Sequence, residues 1–99
     1  MRLIDDNLQT IYALCQKHKV SRLFVFGSVL TERFNSQSDV DLLVDFKKEE
    51  IDDYFSNFFD LKYDLEKLFG KEVDLVESQT VRNLYLRQSI DQSKVLIYG

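Results

Sequence analysis

Apolar positions recur at helical spacing from the start of the chain. Ile4, Leu8, Ile11 and Cys15 fall on one face, with Asp5 and Asp6 in the first turn and Lys17, His18 and Lys19 gathered at the other end. The spacing predicts an amphipathic helix over about 5–18. Val20 to Phe26 follows as an almost unbroken apolar run that stops at Gly27 and predicts a strand buried on both faces. After a polar stretch, strict alternation sets in: Val40, Leu42, Val44 and Phe46 point one way, Asp39, Asp41, Leu43 and Asp45 the other. That is the period of a strand. Past the solvated Lys47-Lys48-Glu49-Glu50 run, Tyr54, Phe58, Leu61, Leu65 and Leu68 predict a long helix over about 52–69, with Gly70 where it would stop. Glu72 to Val76 reads as a third strand, 79–91 as weakly helical, and Lys94 to Tyr98 as a short final strand or docking tail. This order implies an α/β or α+β sheet with helices packed over it.

The chain has 99 residues, too few for a catalytic domain plus a separate substrate domain, and residues 1–99 are read as a single domain. Any acceptor-binding half is expected from another chain. With 13 basic and 17 acidic side chains the net charge is −4, which argues against direct nucleic-acid binding driven by a basic face. A nucleotide with magnesium stays compatible. No apolar run approaches a membrane span and the N-terminus lacks a signal-peptide pattern, so the expected location is the cytoplasm, away from the membrane. One cysteine and one histidine supply neither a disulfide nor a thiolate or imidazole metal cluster.

The chemistry concentrates in carboxylates. Asp39 and Asp41 are two apart on a strand, so both leave the same face, roughly 6–7 Å apart along the backbone. Hard oxygen donors with no thiolate nearby favour Mg²⁺ or Mn²⁺ over zinc. Asp74 adds a third carboxylate within an apolar strand, where an unpaired charge is costly to bury and needs compensation. If the third strand lies beside the second, Asp74 completes a triad able to hold metal and to take a proton from an attacking hydroxyl. Gly27 and Ser28 end the first strand, where backbone N–H groups and a missing Cβ suit a phosphate, although such a pair is more often a plain turn.

Gly27-Ser28, ten intervening residues, Asp39-Val40-Asp41 and a later strand Asp74 together resemble the DNA polymerase beta-like nucleotidyltransferase superfamily, and within it the minimal nucleotidyltransferases. The resemblance covers nearly the whole chain. It implies a small mixed sheet carrying helices, with Gly27 and Ser28 on the triphosphate and Asp39, Asp41 and Asp74 at a site for two Mg²⁺ ions. It also implies transfer of a nucleoside monophosphate, AMP from ATP, to an acceptor hydroxyl. The biological setting it implies is an antitoxin that adenylylates a tyrosine of a small helical HEPN-type toxin. Thr31-Glu32 stand where similar proteins carry Arg-Gly. That departure keeps open a non-catalytic module that neutralises its partner by contact; a small-molecule nucleotidyltransferase, with the acceptor held by a homo-oligomer, is the third reading.

Other features read as structure. Asp39-x-Asp41-x-x-x-Asp45 is no calcium loop, because Leu43 occupies a ligand position and the loop glycine is missing. Asp45 reads as surface. The aromatics Tyr54, Phe55, Phe58, Phe59 and Tyr63 have the spacing of core packing; were Phe55 and Phe59 left outside, they would offer a patch to a partner or a second copy. Cys15 reads as a small core residue, His18 as a charge at a helix end, and Lys17 and Lys19 as solvated.

Overall fold

The computed structural model describes residues 2–27 and 39–99. Two helices stand where the spacing predicts one: α1, Arg2–Asp5, and α2, Leu8–Lys17. The break falls at Asn7, whose side-chain amide donates to the Leu3 carbonyl at 2.7 Å and so takes an acceptor that a continuous helix would use. α2 seals its apolar face through Ile11 and Cys15. Lys19 turns the chain out of the helix in the left-handed region, at φ 59°.

β1 (Val20–Phe26) and β2 (Val40–Phe46) are antiparallel neighbours, and a short 3-10 turn at Lys48–Glu50 leads to α3 (Tyr54–Phe69). Asp53 caps α3 by accepting from the Ser56 amide at 3.1 Å and its hydroxyl at 2.8 Å, and Gly70 closes it at φ 64°. β3 (Val73–Glu77) returns parallel to β2. A 3-10 turn at Ser78–Thr80 leads to α4 (Leu84–Ser93), capped by Asn83, and β4 (Val95–Tyr98) then pairs antiparallel with β1. The sheet runs β3-β2-β1-β4 and is mixed, as the family resemblance implies.

Period two sorts the sheet into two faces. Leu23, Val25, Val40, Leu42, Val44, Val73 and Leu75 form the core with Ile11 and Cys15 of α2 and Leu61, Leu65 and Phe69 of α3. The opposite face carries the charges. There Leu43 and Ile90 are buried apart from that core and line a common cavity, so α4 covers part of this side. β1 is therefore not buried on both faces: Phe24 and Phe26 are half-buried and Arg22 is exposed, because α4 is too short to cover the whole strand. Among the described residues, no helix is long and apolar enough to cross a membrane.

Two expectations about side chains change. His18 is no exposed charge at a helix end but buried, with Nδ1 3.3 Å from Asn57 Oδ1 and Nε2 3.1 Å from Asp64 Oδ2. Asn57 also donates to the His18 carbonyl at 2.8 Å, so α2 and α3 are tied by polar contacts at this point. The aromatic stripe of α3 divides. Tyr54 and Phe58 pack on the core beside Phe46, whereas Phe55, Phe59 and Tyr63 face outward. The Tyr54 hydroxyl donates to Glu77 at the end of β3, and Lys48 Nζ lies 2.6 Å from the same carboxylate. Burial alone would raise the Glu77 carboxyl, but hydrogen bonds from Lys48 and Tyr54 hold it below its usual range.

Candidate active site

Parallel pairing fixes the two central carboxylates. β2 and β3 run in register with Asp41 opposite Asp74, Val40 opposite Val73 and Leu42 opposite Leu75. Partners across a parallel ladder point to the same face, so Asp41 and Asp74 stand side by side on neighbouring strands, on the face away from the α2–α3 core. The antiparallel pairing of β1 places Phe26 opposite Asp41, which brings the strand end at Gly27 up to the same carboxylate.

Gly27 shows how close that approach is. It sits at φ +77°, and a Cβ there would lie 3.1 Å from Asp41 Cγ and 3.3 Å from its Cβ, nearer still to Oδ2. Only glycine accommodates both the backbone angle and the neighbouring carboxylate. Asp39 precedes β2 by one residue and lines, with Asp74, Glu72, Lys62 and Glu66, an open cleft of about 330 Å³ at the sheet edge. Ser28 and the segment 29–34, with Thr31-Glu32, lie outside the described residues.

Asp74 corrects one expectation: it is exposed rather than buried, because β3 is an edge strand and its outward face is uncovered. An exposed carboxylate carries no burial cost that needs compensating. Asp45, taken from the sequence as surface, is half-buried and held in place; Arg22 lies 3.4 Å from it and the Ser78 hydroxyl donates to it. Lys62, Glu66 and Glu72 were not singled out from the sequence. Lys62 and Glu66 lie on a helix in no fixed register with the aspartates, and Glu72 only bounds a strand, so no spacing signal marks them.

Among the described residues, no three His, Cys, Asp or Glu side chains are grouped so as to hold a metal ion by themselves. The donor set nevertheless fits magnesium, which is held by one or two carboxylates together with waters and substrate phosphates rather than by an all-protein cage. Two strands in register present hard carboxylate oxygens, the donors such a cation would take, with a glycine held against one of the carboxylates.

Residues 9–99 match the model of the family described as polymerase beta, nucleotidyltransferase. A provisionally assigned protein adenylyltransferase of Methanocaldococcus jannaschii is 36% identical over 84 residues, covering 85% of this chain and 83% of its own. The solved structure of a provisionally assigned minimal nucleotidyltransferase superposes with a TM-score of 0.77 at 30% identity, over 96% of this chain and 95% of that one. A toxin–antitoxin crystal structure with AMP-PNP contains a chain of the same fold, with a TM-score of 0.73 at 22% identity over 94% of this chain and 73% of that one. With that match over most of its length and the sheet topology described above, the chain belongs to the polymerase beta nucleotidyltransferase family.

Proposed function

We propose that the protein transfers AMP from ATP to a hydroxyl of a partner protein, the hydroxyl oxygen bonding to the α-phosphorus as pyrophosphate leaves, with Asp39, Asp41 and Asp74 as its catalytic carboxylates. The observation that carries this is the register of β2 and β3, which sets Asp41 opposite Asp74 with Gly27 against Asp41. The M. jannaschii relative supports protein adenylylation as the reaction, and the AMP-PNP assembly is a lead toward a toxin as acceptor.

Asp39 and Asp41 would hold Mg²⁺, two ions when the site is full, with Asp74 completing the ligands. Bound there, the metal would offset the negative charge that grows on the phosphoryl oxygens. The protein's own parts have separate tasks. Gly27 lets the triphosphate approach the backbone, and Ser28 follows it as a second phosphate ligand. Asp74, exposed at the sheet edge, is open to an incoming acceptor and orients its hydroxyl or takes its proton. The acceptor is proposed to be a tyrosine of a small helical HEPN-type toxin, making this chain an antitoxin.

Calorimetric titration with ATP, with and without Mg²⁺, tests the site, and transfer of labelled AMP to the co-purified partner tests the reaction. The parent should bind only with metal, and Asp39→Asn/Asp41→Asn, which removes charge without volume, should abolish both binding and transfer. A double variant that binds Mg-ATP like the parent would overturn the site. Neutralisation of the partner that survives in the double variant would replace catalysis with inhibition by contact.

A further inference from the structure

α3 turns an aromatic line outward, away from the core it covers. Phe55, Phe59 and Tyr63 follow one another at four-residue spacing along the helix and are 72%, 47% and 60% exposed. Phe59 is braced on both sides, its ring centroid 4.8 Å from that of Phe55 and 5.1 Å from that of Phe58, which packs on the core. Lys67 carries the line one turn further, with Nζ 5.1 Å from the Tyr63 ring centroid. At roughly 150–250 Å² per aromatic side chain, these exposures leave about 270–450 Å² of aromatic surface open on each copy. Asp41 and Asp74 lie on the far side of the sheet from this helix, so the aromatic line is no part of the carboxylate site.

The two ends of the line carry opposite charge. Glu49, Glu50, Asp52 and Asp53 are exposed ahead of the first turn of α3, and Lys67 is exposed in the last. A stripe that is aromatic in the middle, acidic at one end and basic at the other is complementary to itself when reversed. With a two-fold axis at Phe59, α3 of a second copy runs antiparallel: Phe59 meets its own equivalent and Phe55 meets Tyr63, four residues from the axis on either side. Asp52 and Lys67 lie seven and eight residues from Phe59, so the same reversal brings each to nearly the level of the other. A parallel copy would set acid against acid. The two aromatic faces together amount to about 540–900 Å², which with a polar rim reaches the low end of the roughly 1,200–2,000 Å² of specific interfaces.

We propose that the outer face of α3 pairs antiparallel with the same face of a second copy of this chain, forming a two-fold dimer whose carboxylate sites point away from the interface. The pairing does not depend on the reaction proposed above. Its size calls for a weak dimer, so sedimentation equilibrium of the full chain from roughly 5 to 500 µM should show monomer giving way to dimer. Phe59→Glu sets two carboxylates on the axis and should raise the dissociation constant tenfold or more. At so exposed a position the variant's dilute melt by circular dichroism should stay within about 4 °C of the parent's. Lys67→Glu should weaken the dimer about threefold or more, and the swap Asp52→Lys/Lys67→Glu should return it to within about twofold of the parent. A chain that stays monomeric throughout, or a dimer indifferent to Phe59→Glu, overturns the pairing. A Lys67→Glu loss that the swap leaves in place overturns its antiparallel sense. A monomeric chain that releases its co-purified partner on Phe59→Glu also overturns the pairing and gives the face to that partner.

Discussion

Replacing Gly27 by alanine separates backbone strain from damage to the site, because a second glycine provides the control. Gly27 and Gly70 both lie in the left-handed region, at φ 77° and 64°. An L-residue there costs roughly 1–2 kcal/mol. At this chain length each kcal/mol lowers Tm by about 4–8 °C, so either alanine variant should melt roughly 4–16 °C below the parent. They differ in what the new methyl meets. At Gly70 it finds nothing within 4 Å, whereas at Gly27 it drives into the Asp41 carboxylate, which is a movable group and must turn away. The strain is therefore shared and the displaced ligand is not. Gly70→Ala should bind Mg-ATP as the parent does, while Gly27→Ala should lose tenfold or more, about 1.4 kcal/mol. Thermal melts by circular dichroism and calorimetry with Mg-ATP measure the two effects. A Gly27→Ala protein that melts with the parent and binds Mg-ATP equally would refute the reasoning, as would equal binding losses in both variants.

Further substitutions probe the frame. The hydrogen bond from His18 holds the Asp64 carboxyl below its usual range, against partial burial that works the other way, with Lys17 adding attraction. A depressed carboxyl stabilises the fold above its unfolded pKa of about 3.9, and that contribution is lost as pH falls through the folded value. Asp64→Asn should thus cost roughly 1.5–3 kcal/mol in denaturant melts at pH 7, and the gap to the parent should close in acid. Burial pushes the Cys15 thiol up to about 12, so a thiol reagent should label it only at the rate at which the protein opens, and fast labelling of native protein would contradict its placement. Leu61→Ala, at a fully buried position between α3 and the sheet, should cost about 2–5 kcal/mol by chemical denaturation. Lys19 bears a left-handed angle with a full side chain; Lys19→Gly relieves roughly 1–2 kcal/mol of strain and gives back about 0.4–1 kcal/mol in unfolded-chain freedom, so it should raise stability by about 0.5–1 kcal/mol, read as a higher Tm.

Local pattern made the strands and the two main amphipathic helices legible, because alternation and the spacing of Leu61, Leu65 and Ile11 are properties of neighbours along the chain. Asp39 and Asp41 were visible for the same reason. The pairing of Asp41 with Asp74 was conditional, since nothing local says which strand lies beside which or in what register. Exposure of Asp74 follows from strand order, a global property, and so did not show in its apolar neighbours. His18 is the clearest case of what sequence hides: its partners Asn57 and Asp64 lie 39 and 46 positions away, on another helix. The division of the aromatic stripe has a similar origin. Five aromatics within ten residues cover more than one side of α3, and only the docked helix shows that Tyr54 and Phe58 face inward.

The place of β4 bears on how the molecule assembles. β1 pairs on one side with β2, within its own half of the chain, and on the other with β4, where Val25 meets Val95. Until residues 95–98 dock, one side of β1 is a row of open peptide groups beside an apolar strand, the arrangement that recruits foreign strands. Closing that edge requires a contact between segments some seventy residues apart, which slows folding more than the β1–β2 ladder does. During synthesis, an inner strand of the finished sheet is therefore an unprotected margin until residues 95–98 emerge.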